Sequence, residues 1–109
     1  MTRIEVAPEV ANDLDRIIEH LVAHQVVDAL SRIEDIIHAI DVLKRNPLIG
    51  RLGRADLREL VIGRRVRGYV ALYRYVPELD TLFVLAIRSQ KEAGYSENAF
   101  DAKASRPVG

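Results

Sequence analysis

The sequence contains no cysteine, and this absence excludes several kinds of site together. Disulfide bonds, thiolate zinc sites and a cysteine nucleophile all require that side chain. No apolar run approaches the roughly 20 residues that a membrane-spanning helix needs. The first residues, Arg3, Ile4, Glu5 and Val6, do not form the apolar stretch of a signal peptide. We therefore expect a cytoplasmic protein that does not associate with membranes.

The charges are segregated along the chain, although the 109 residues carry a net charge of zero. Residues 1–43 carry three Arg against nine acidic residues, a net charge of −6. Residues 44–75 carry nine Lys and Arg against two acidic residues, a net charge of +7. Two interpretations remain open: a basic loop neutralised by the acidic segment, or a surface that binds an acidic partner.

The first half of the chain predicts one strand followed by two amphipathic helices. Residues 2–7 alternate as a strand, and Pro8 suits the first position of a helix. The apolar stripe of the first helix consists of Val10, Leu14, Ile17, Ile18 and Leu21, with Asp13 among the polar residues outside it. The stripe of the second helix consists of Leu30, Ile33, Ile37 and Ile40, with Ile36 and Leu43 on its flank. Pro47 ends that helix.

The second half predicts three strands. A loop over residues 48–54 precedes strands at 57–62, 68–76 and 81–88, and residues 77–80 form the turn between the last two. A helical hairpin packed on one face of a small, mainly antiparallel sheet accounts for this order, so the fold class is α+β. We expect one domain over residues 1–95 and a mobile polar tail over residues 96–109.

Four segments of the sequence occur in the order and spacing of a known family. They are residues 43–51 (LKRNPLIGR), 58–63 (RELVIG), 68–75 (GYVALYRY) and 87–95 (IRSQKEAGY). Together they resemble the RelE/ParE superfamily of toxins from bacterial type II toxin–antitoxin systems. The resemblance extends from about Ile4 to Tyr95 and implies the same β-α-α-β-β-β order.

The superfamily has two branches, and the resemblance favours the ParE-like one. RelE-like members cut messenger RNA on the ribosome with basic side chains on the strands. Here Val70 stands where that branch has a catalytic arginine, Val61 and Gly63 fall near its lysines, and Ser89 replaces a second arginine. The ParE-like branch implies inhibition of DNA gyrase by protein contact, with no catalytic residues. An endoribonuclease of the RelE type, or a decayed toxin that retains only antitoxin binding, remain the alternatives.

The resemblance also implies partners and contact residues. The target-contact candidates are Arg88, Lys91, Tyr95 and Arg58. A ParD-like antitoxin with an acidic C-terminal segment is the expected second partner, and the candidates for its contacts are Arg51, Arg54, Arg64, Arg65, Arg67 and Arg74. Structural roles compete with these: Arg88 pairing with Glu59 or a tail acid, Arg58 pairing with a carboxylate on a neighbouring strand, and a solvated basic turn at residues 64–67.

Neither a metal nor another cofactor is expected. His20 and His24 are spaced four residues apart, which supplies half of a metal site, but no third ligand accompanies them. The chain has no glycine-rich phosphate loop and no acidic cluster suited to calcium or magnesium. We therefore expect no cofactor and no small-molecule substrate.

Overall fold

A computed structural model describes residues 1–63 and 68–90 of the chain. The α+β class and the predicted order of elements are confirmed, with one additional short strand. The elements are β1 (Arg3–Val6), α1 (Pro8–Ala23), α2 (Ala29–Val42), β2 (Arg51–Leu52), β3 (Arg58–Ile62), β4 (Tyr69–Val76) and β5 (Thr81–Ser89).

The strands form one five-stranded sheet in the order β1-β5-β4-β3-β2. Among the described strands, β1 and β5 are parallel and the other three neighbouring pairs are antiparallel, so the prediction of a mainly antiparallel sheet is confirmed. The apolar strand β5 lies between β1 and β4. The prediction of a loop throughout residues 48–54 was wrong, because Arg51 and Leu52 pair with Glu59 and Arg58 of β3.

A β-bulge in β5 keeps its apolar side chains on the helix-covered face of the sheet. Leu72 pairs with Ala86 whereas Tyr73 pairs with Val84, so β5 contains one residue more than β4 at this point. The extra residue shifts the alternation of the strand by one position. As a result Val84 before the bulge and Ile87 after it are both completely buried.

Helix α1 begins at Pro8, as predicted, and packs against β5. Val10, Ile17 and Leu21 are buried in the core and Leu14 packs against it, which confirms most of the predicted stripe. The prediction for Ile18 was wrong, because this residue is exposed. The position of Asp13 was predicted wrongly: this side chain is on the buried side, and the residue is only 5% exposed.

Helix α2 buries a side that only partly overlaps the predicted one, since Ile33 and Ile40 of the predicted stripe pack against the core. Ile36 and Leu43, predicted on the flank, are completely buried. Leu30 and Ile37, predicted in the core, are 71% and 60% exposed. The helix has apolar residues on two adjoining sides, and the sheet covers the side that carries Ile36. Within the described residues, neither α1 nor α2 has the length and apolarity needed to cross a membrane.

The predicted turn between β4 and β5 is also present. Pro77–Leu79 form a single 3-10 turn, and Asp80 adopts a left-handed conformation with φ of 45°. One carboxylate oxygen of Asp80 accepts hydrogen bonds from the hydroxyls of Thr2 and Tyr75, each at 2.8 Å. The turn is thereby attached to the start of β1.

Candidate functional site

The C-terminal half of β5 is held by a buried carboxylate. Strand β1 stops pairing with β5 at Val84, and no other strand among the described residues continues along that edge of β5. Helix α1 places Asp13 at this edge, where its Oδ2 accepts a hydrogen bond of 2.9 Å from the backbone N–H of Ile87. A side chain of the helix therefore satisfies a backbone group that a longer β1 would have paired.

Arg88 lies directly beside this contact. Its Nε is 3.9 Å from Asp13 Oδ1, and the same oxygen is 3.2 Å from Arg16 Nη1. The Arg88 side chain is 51% exposed, so it remains accessible to a partner while Asp13 restrains it. Glu59, which the sequence offered as a partner for Arg88, instead pairs with Arg51 at 3.3 Å.

The outer face of the sheet is the one opposite the helices. Strand β4 points Tyr69, Ala71 and Tyr73 into the core, so by alternation Val70 and Arg74 lie on the outer face. Val70 pairs with Val61 on one side and Arg88 on the other, and it is only 7% exposed. Val70, the position at which the resemblance implies an arginine in the nuclease branch, is thus a buried aliphatic side chain in this chain.

Arg58 anchors the segment that precedes β2. Its Nη1 donates hydrogen bonds to the carbonyls of Gly50 and Leu48, at 2.8 and 3.2 Å. The N–H of Gly50 in turn donates to the Tyr73 hydroxyl at 2.8 Å. Burial raises the pKa of Tyr73, an effect that the Gly50 hydrogen bond and the Arg58 charge oppose. A target contact by Arg58 stays a prediction, and its carbonyl bonds supply a structural role.

Three of the residues predicted for the acidic partner lie around β2. Arg51, Arg54 and Arg74 are exposed, and Arg74 Nη2 donates to the carbonyl of Ala55 at 3.0 Å. Exposed apolar side chains accompany them, at Leu48, Ile49 and Leu52. We call these six residues the basic edge. The other candidates, Arg64, Arg65, Arg67, Lys91 and Tyr95, lie outside the described residues, as does the predicted tail over residues 96–109.

His20 and His24 contact each other at the end of α1. Their ring centroids are 4.1 Å apart, and His24 Nδ1 lies 3.0 Å from the carbonyl oxygen of His20. Within residues 1–63 and 68–90, no three His, Asp or Glu side chains are grouped so that they could hold a metal ion.

The residue that sequence reasoning missed is Asp13. A signal for it was present, since Asp13 follows Val10 by three residues and precedes Ile17 by four. Residues with this spacing share one side of a helix. The spacing therefore placed the carboxylate within the buried row, and only its polar character argued for the surface.

Comparison with known proteins was made at the level of family, sequence and structure. The family model of the ParE toxin of type II toxin–antitoxin systems, parDE, matches residues 4–94. No curated protein sequence matches the chain. A solved chain of the chromosomal ParDE TA system from P. aeruginosa is similar, with a TM-score of 0.66 and 24% identity; the match covers 82% of this chain and 96% of that one. The isolated E. coli RelE toxin is similar with a TM-score of 0.57 and 15% identity, over 94% of this chain and 99% of that one. At these identities the two structures establish the fold alone.

Proposed function

Because this chain belongs to the ParE toxin family of type II toxin–antitoxin systems, we propose that it inhibits DNA gyrase by protein contact. In this proposal the toxin acts in the cytoplasm without catalysing a reaction, and a ParD-like antitoxin neutralises it. The observation that carries the proposal is the buried Val70 on the outer face of the sheet, where a ribonuclease of this fold has an arginine.

Metal-free RNA cleavage requires a group that activates the 2′-hydroxyl and cations that stabilise the charge on the phosphate. Val61, Val70 and Ser89 supply neither a cation nor a strong base. Val61 pairs with Val70, and Ser89 pairs with Tyr69, the residue before Val70. Arg88 is the cation at this position, and its guanidinium lies beside the Asp13 carboxylate. This arrangement favours a contact surface over a nuclease centre.

The basic edge is the observation that supports an acidic segment in the antitoxin. Arg51 and Arg54 are exposed, and so are Leu48, Ile49 and Leu52, so positive charge and accessible apolar side chains occur together in this short segment. Peptide segments that bind protein surfaces use apolar anchors for affinity and charged flanks for orientation. An antitoxin segment with apolar side chains and neighbouring Asp or Glu matches this edge.

The direct test is a supercoiling assay with purified gyrase and the full chain. We expect inhibition by the wild-type chain and at least a tenfold weaker effect from Arg88→Ala, which removes the exposed cation. Arg3→Ala is the matched control, because Arg3 is an exposed arginine at the other end of the β1–β5 pair. Unimpaired supercoiling, together with cleavage of messenger RNA in a translation extract, would establish the RelE-like alternative instead.

Induced expression in bacteria separates an active toxin from a decayed one. We expect growth arrest from the wild-type gene and relief when the gene of the cognate antitoxin is expressed with it. Normal growth, combined with tight binding of the antitoxin to the purified chain, would identify a decayed toxin that has kept only its partner.

A further inference from the structure

Two histidines at the end of α1 are held close together. His24 is the C-terminal cap of the helix, and the next residue, Gln25, adopts a left-handed conformation with φ of 50°. His20 lies four residues before His24, so both rings are on the same side of the helix. The ring centroids are 4.1 Å apart, and the ring planes are inclined by 34°. Both residues are exposed, so the ring pair is accessible from solvent.

A contact with the backbone determines which ring nitrogen of His24 is available. Its Nδ1 lies 3.0 Å from the carbonyl oxygen of His20. A carbonyl oxygen can only accept a hydrogen bond, so Nδ1 carries the hydrogen in this contact. In the neutral ring the lone pair is then on Nε2, the nitrogen that can bind a metal ion. Histidine ligands of metal sites are commonly oriented by a hydrogen bond of this kind, donated by the other ring nitrogen.

The distance between the two rings suits a single metal ion. Imidazole nitrogens bind such an ion at about 2.0–2.1 Å, so two nitrogens on the same ion are at most ~4 Å apart. With the centroids at 4.1 Å, rotation of the side chains is sufficient to bring one nitrogen of each ring into this range. The helix therefore supplies both ligands without a change in its backbone.

We propose that His20 and His24 chelate one divalent late transition-metal ion, with Cu²⁺ bound most tightly. Imidazole nitrogen suits copper, nickel and zinc, whereas Mg²⁺ and Ca²⁺ take oxygen ligands. Over residues 1–63 and 68–90, no third His, Asp or Glu side chain completes a metal-binding group with the pair, and we assign the remaining coordination positions to water. A structural zinc site has four protein ligands instead. Cu²⁺ stands highest in the affinity order of the divalent ions and accepts nitrogen and oxygen ligands together.

A bound ion connects the last turn of α1 to its cap. The helix keeps His20 and His24 together, whereas unfolding separates their rings, so the folded chain binds the ion more tightly. A ligand that prefers the folded state stabilises it by mass action. The site thereby links the stability of the chain to the concentration of the metal. This inference goes beyond the proposed function, which uses neither histidine.

Metal titration of the full chain, prepared without a histidine tag and in a buffer that does not chelate metals, tests the site. Isothermal titration calorimetry should give one Cu²⁺ ion per chain, weaker binding of Ni²⁺ and Zn²⁺, and no binding of Mg²⁺. Electron paramagnetic resonance of the Cu²⁺ complex should show splitting by two equatorial nitrogens. Free metal at about 100 times the Kd should raise the Tm by roughly 5 °C or more.

Variants assign the ion to this pair. His20→Gln and His24→Gln should each lower the Cu²⁺ affinity at least tenfold, because chelation by two rings becomes binding by one. His38→Gln is the matched control, since it removes the third histidine of the chain, which is exposed on α2. Thermal unfolding without metal verifies that each variant is folded.

An exchange of neighbouring residues tests the spacing at constant composition. His24→Gln combined with Gln25→His keeps all three histidines but separates the pair by five residues instead of four. Histidine is among the residues that tolerate the left-handed conformation of position 25. We expect this double variant to lose as much Cu²⁺ affinity as His24→Gln alone.

Several results would overturn the proposal. Equal losses in His20→Gln and His38→Gln, or full affinity after the exchange of residues 24 and 25, would indicate an adventitious ion only. A spectrum with a single nitrogen ligand contradicts chelation. A Tm that Cu²⁺ leaves unchanged or lowers contradicts the link to stability. Each of these results leaves the proposed function intact, because gyrase inhibition and growth arrest are measured without added Cu²⁺, Ni²⁺ or Zn²⁺.

Discussion

The carboxylate of Asp13 and the backbone N–H of Ile87 are joined by a buried hydrogen bond of 2.9 Å. The two residues are 74 positions apart in the sequence. The bond connects α1 to the strand that carries Arg88, at a place where β1 no longer pairs with β5. It therefore supports the fold and positions the exposed cation that the proposed function uses.

Asp13→Ala should destabilise the chain by about 1–3 kcal/mol, because it leaves the buried N–H of Ile87 without an acceptor. Asp13→Asn should cost less, since its amide oxygen can still accept that hydrogen bond. Urea unfolding monitored by circular dichroism measures both effects. Asp15→Ala, on the exposed side of the same helix, is the control and should change the unfolding free energy by less than about 0.5 kcal/mol. Equal stability of the Asp13 and Asp15 variants would contradict the role of the hydrogen bond.

Residue periodicity predicted the elements well because most of them have one clearly apolar side. Val10, Ile17 and Leu21 recur at helical spacing, and the tyrosines of β4 alternate strictly, so both elements had a single way to bury their apolar side. Helix α2 had more than one way to bury an apolar side, because the adjacent residues Ile36 and Ile37 lie on two different apolar sides of the helix. Which of them is buried depends on where the sheet lies, and local spacing does not contain that information.

The candidate site was less predictable because its decisive contacts join distant segments. Arg58 was expected to pair with a carboxylate or a target, yet it donates to carbonyls of residues 48 and 50. Backbone carbonyls are present at every position, so the sequence does not mark them as partners. Strand β2 was missed because a strand of two residues is too short to show an alternation of apolar and polar side chains.

Gly50→Ala should destabilise the chain through a steric conflict. A Cβ at this position would lie 2.7 Å from Cε1 and the hydroxyl oxygen of Tyr73, and 2.9 Å from the carbonyl oxygen of Glu59. Overpacking of this kind costs about 1–3 kcal/mol. At Gly53 a Cβ would meet only the carbonyl oxygen of Leu57, at 3.6 Å, so Gly53→Ala should have a clearly smaller effect. Thermal unfolding compares the two variants, and an equal loss of Tm would contradict the packing argument.

Stability should depend on pH through Asp80. The hydrogen bonds from Tyr75 and Thr2 hold the pKa of the Asp80 carboxyl below its ordinary value of 3.8. A carboxyl group with a lowered pKa stabilises the folded state above the ordinary value, and this contribution is lost as the pH falls through the lowered one. Asp80→Asn keeps a residue that tolerates the left-handed conformation but removes the charge.

The difference in unfolding free energy between the wild-type chain and Asp80→Asn should therefore be constant near neutral pH. It should shrink below a pH of about 3.8, the ordinary pKa of the group. Denaturant unfolding at a series of pH values gives this difference directly. The contributions of the other carboxyl groups are the same in both proteins and cancel in the difference. Tyr75→Phe, which removes one of the two donors, should show a weaker pH dependence than the wild-type chain. A difference that is independent of pH would refute the assignment.

Reversal of two charges on the basic edge should weaken antitoxin binding. Arg51→Glu combined with Arg54→Glu places acids where the acidic segment is expected, so we predict at least a tenfold loss of affinity, mainly in the association rate. Arg3→Glu combined with Arg32→Glu makes the same change of charge away from β2 and is the control. Surface plasmon resonance with the purified cognate antitoxin measures the association and dissociation rates. Equal losses in the two double variants would place the acidic segment elsewhere.

Substitutions of Arg58 and Arg88 should affect stability and toxicity to different extents. Arg58→Ala removes the donor to two carbonyls, so we expect a loss of about 1–3 kcal/mol in unfolding free energy. Arg88→Ala removes a half-exposed cation 3.9 Å from its carboxylate, and a pair of that kind contributes at most about 1 kcal/mol. Toxicity, scored as growth arrest at equal protein level, should nevertheless fall more for Arg88→Ala than for Arg58→Ala. Arg88→Lys retains the charge and should recover part of the arrest if that charge contacts the target. If toxicity decreased in proportion to the unfolding free energy across these three variants, Arg88 would have a structural role alone.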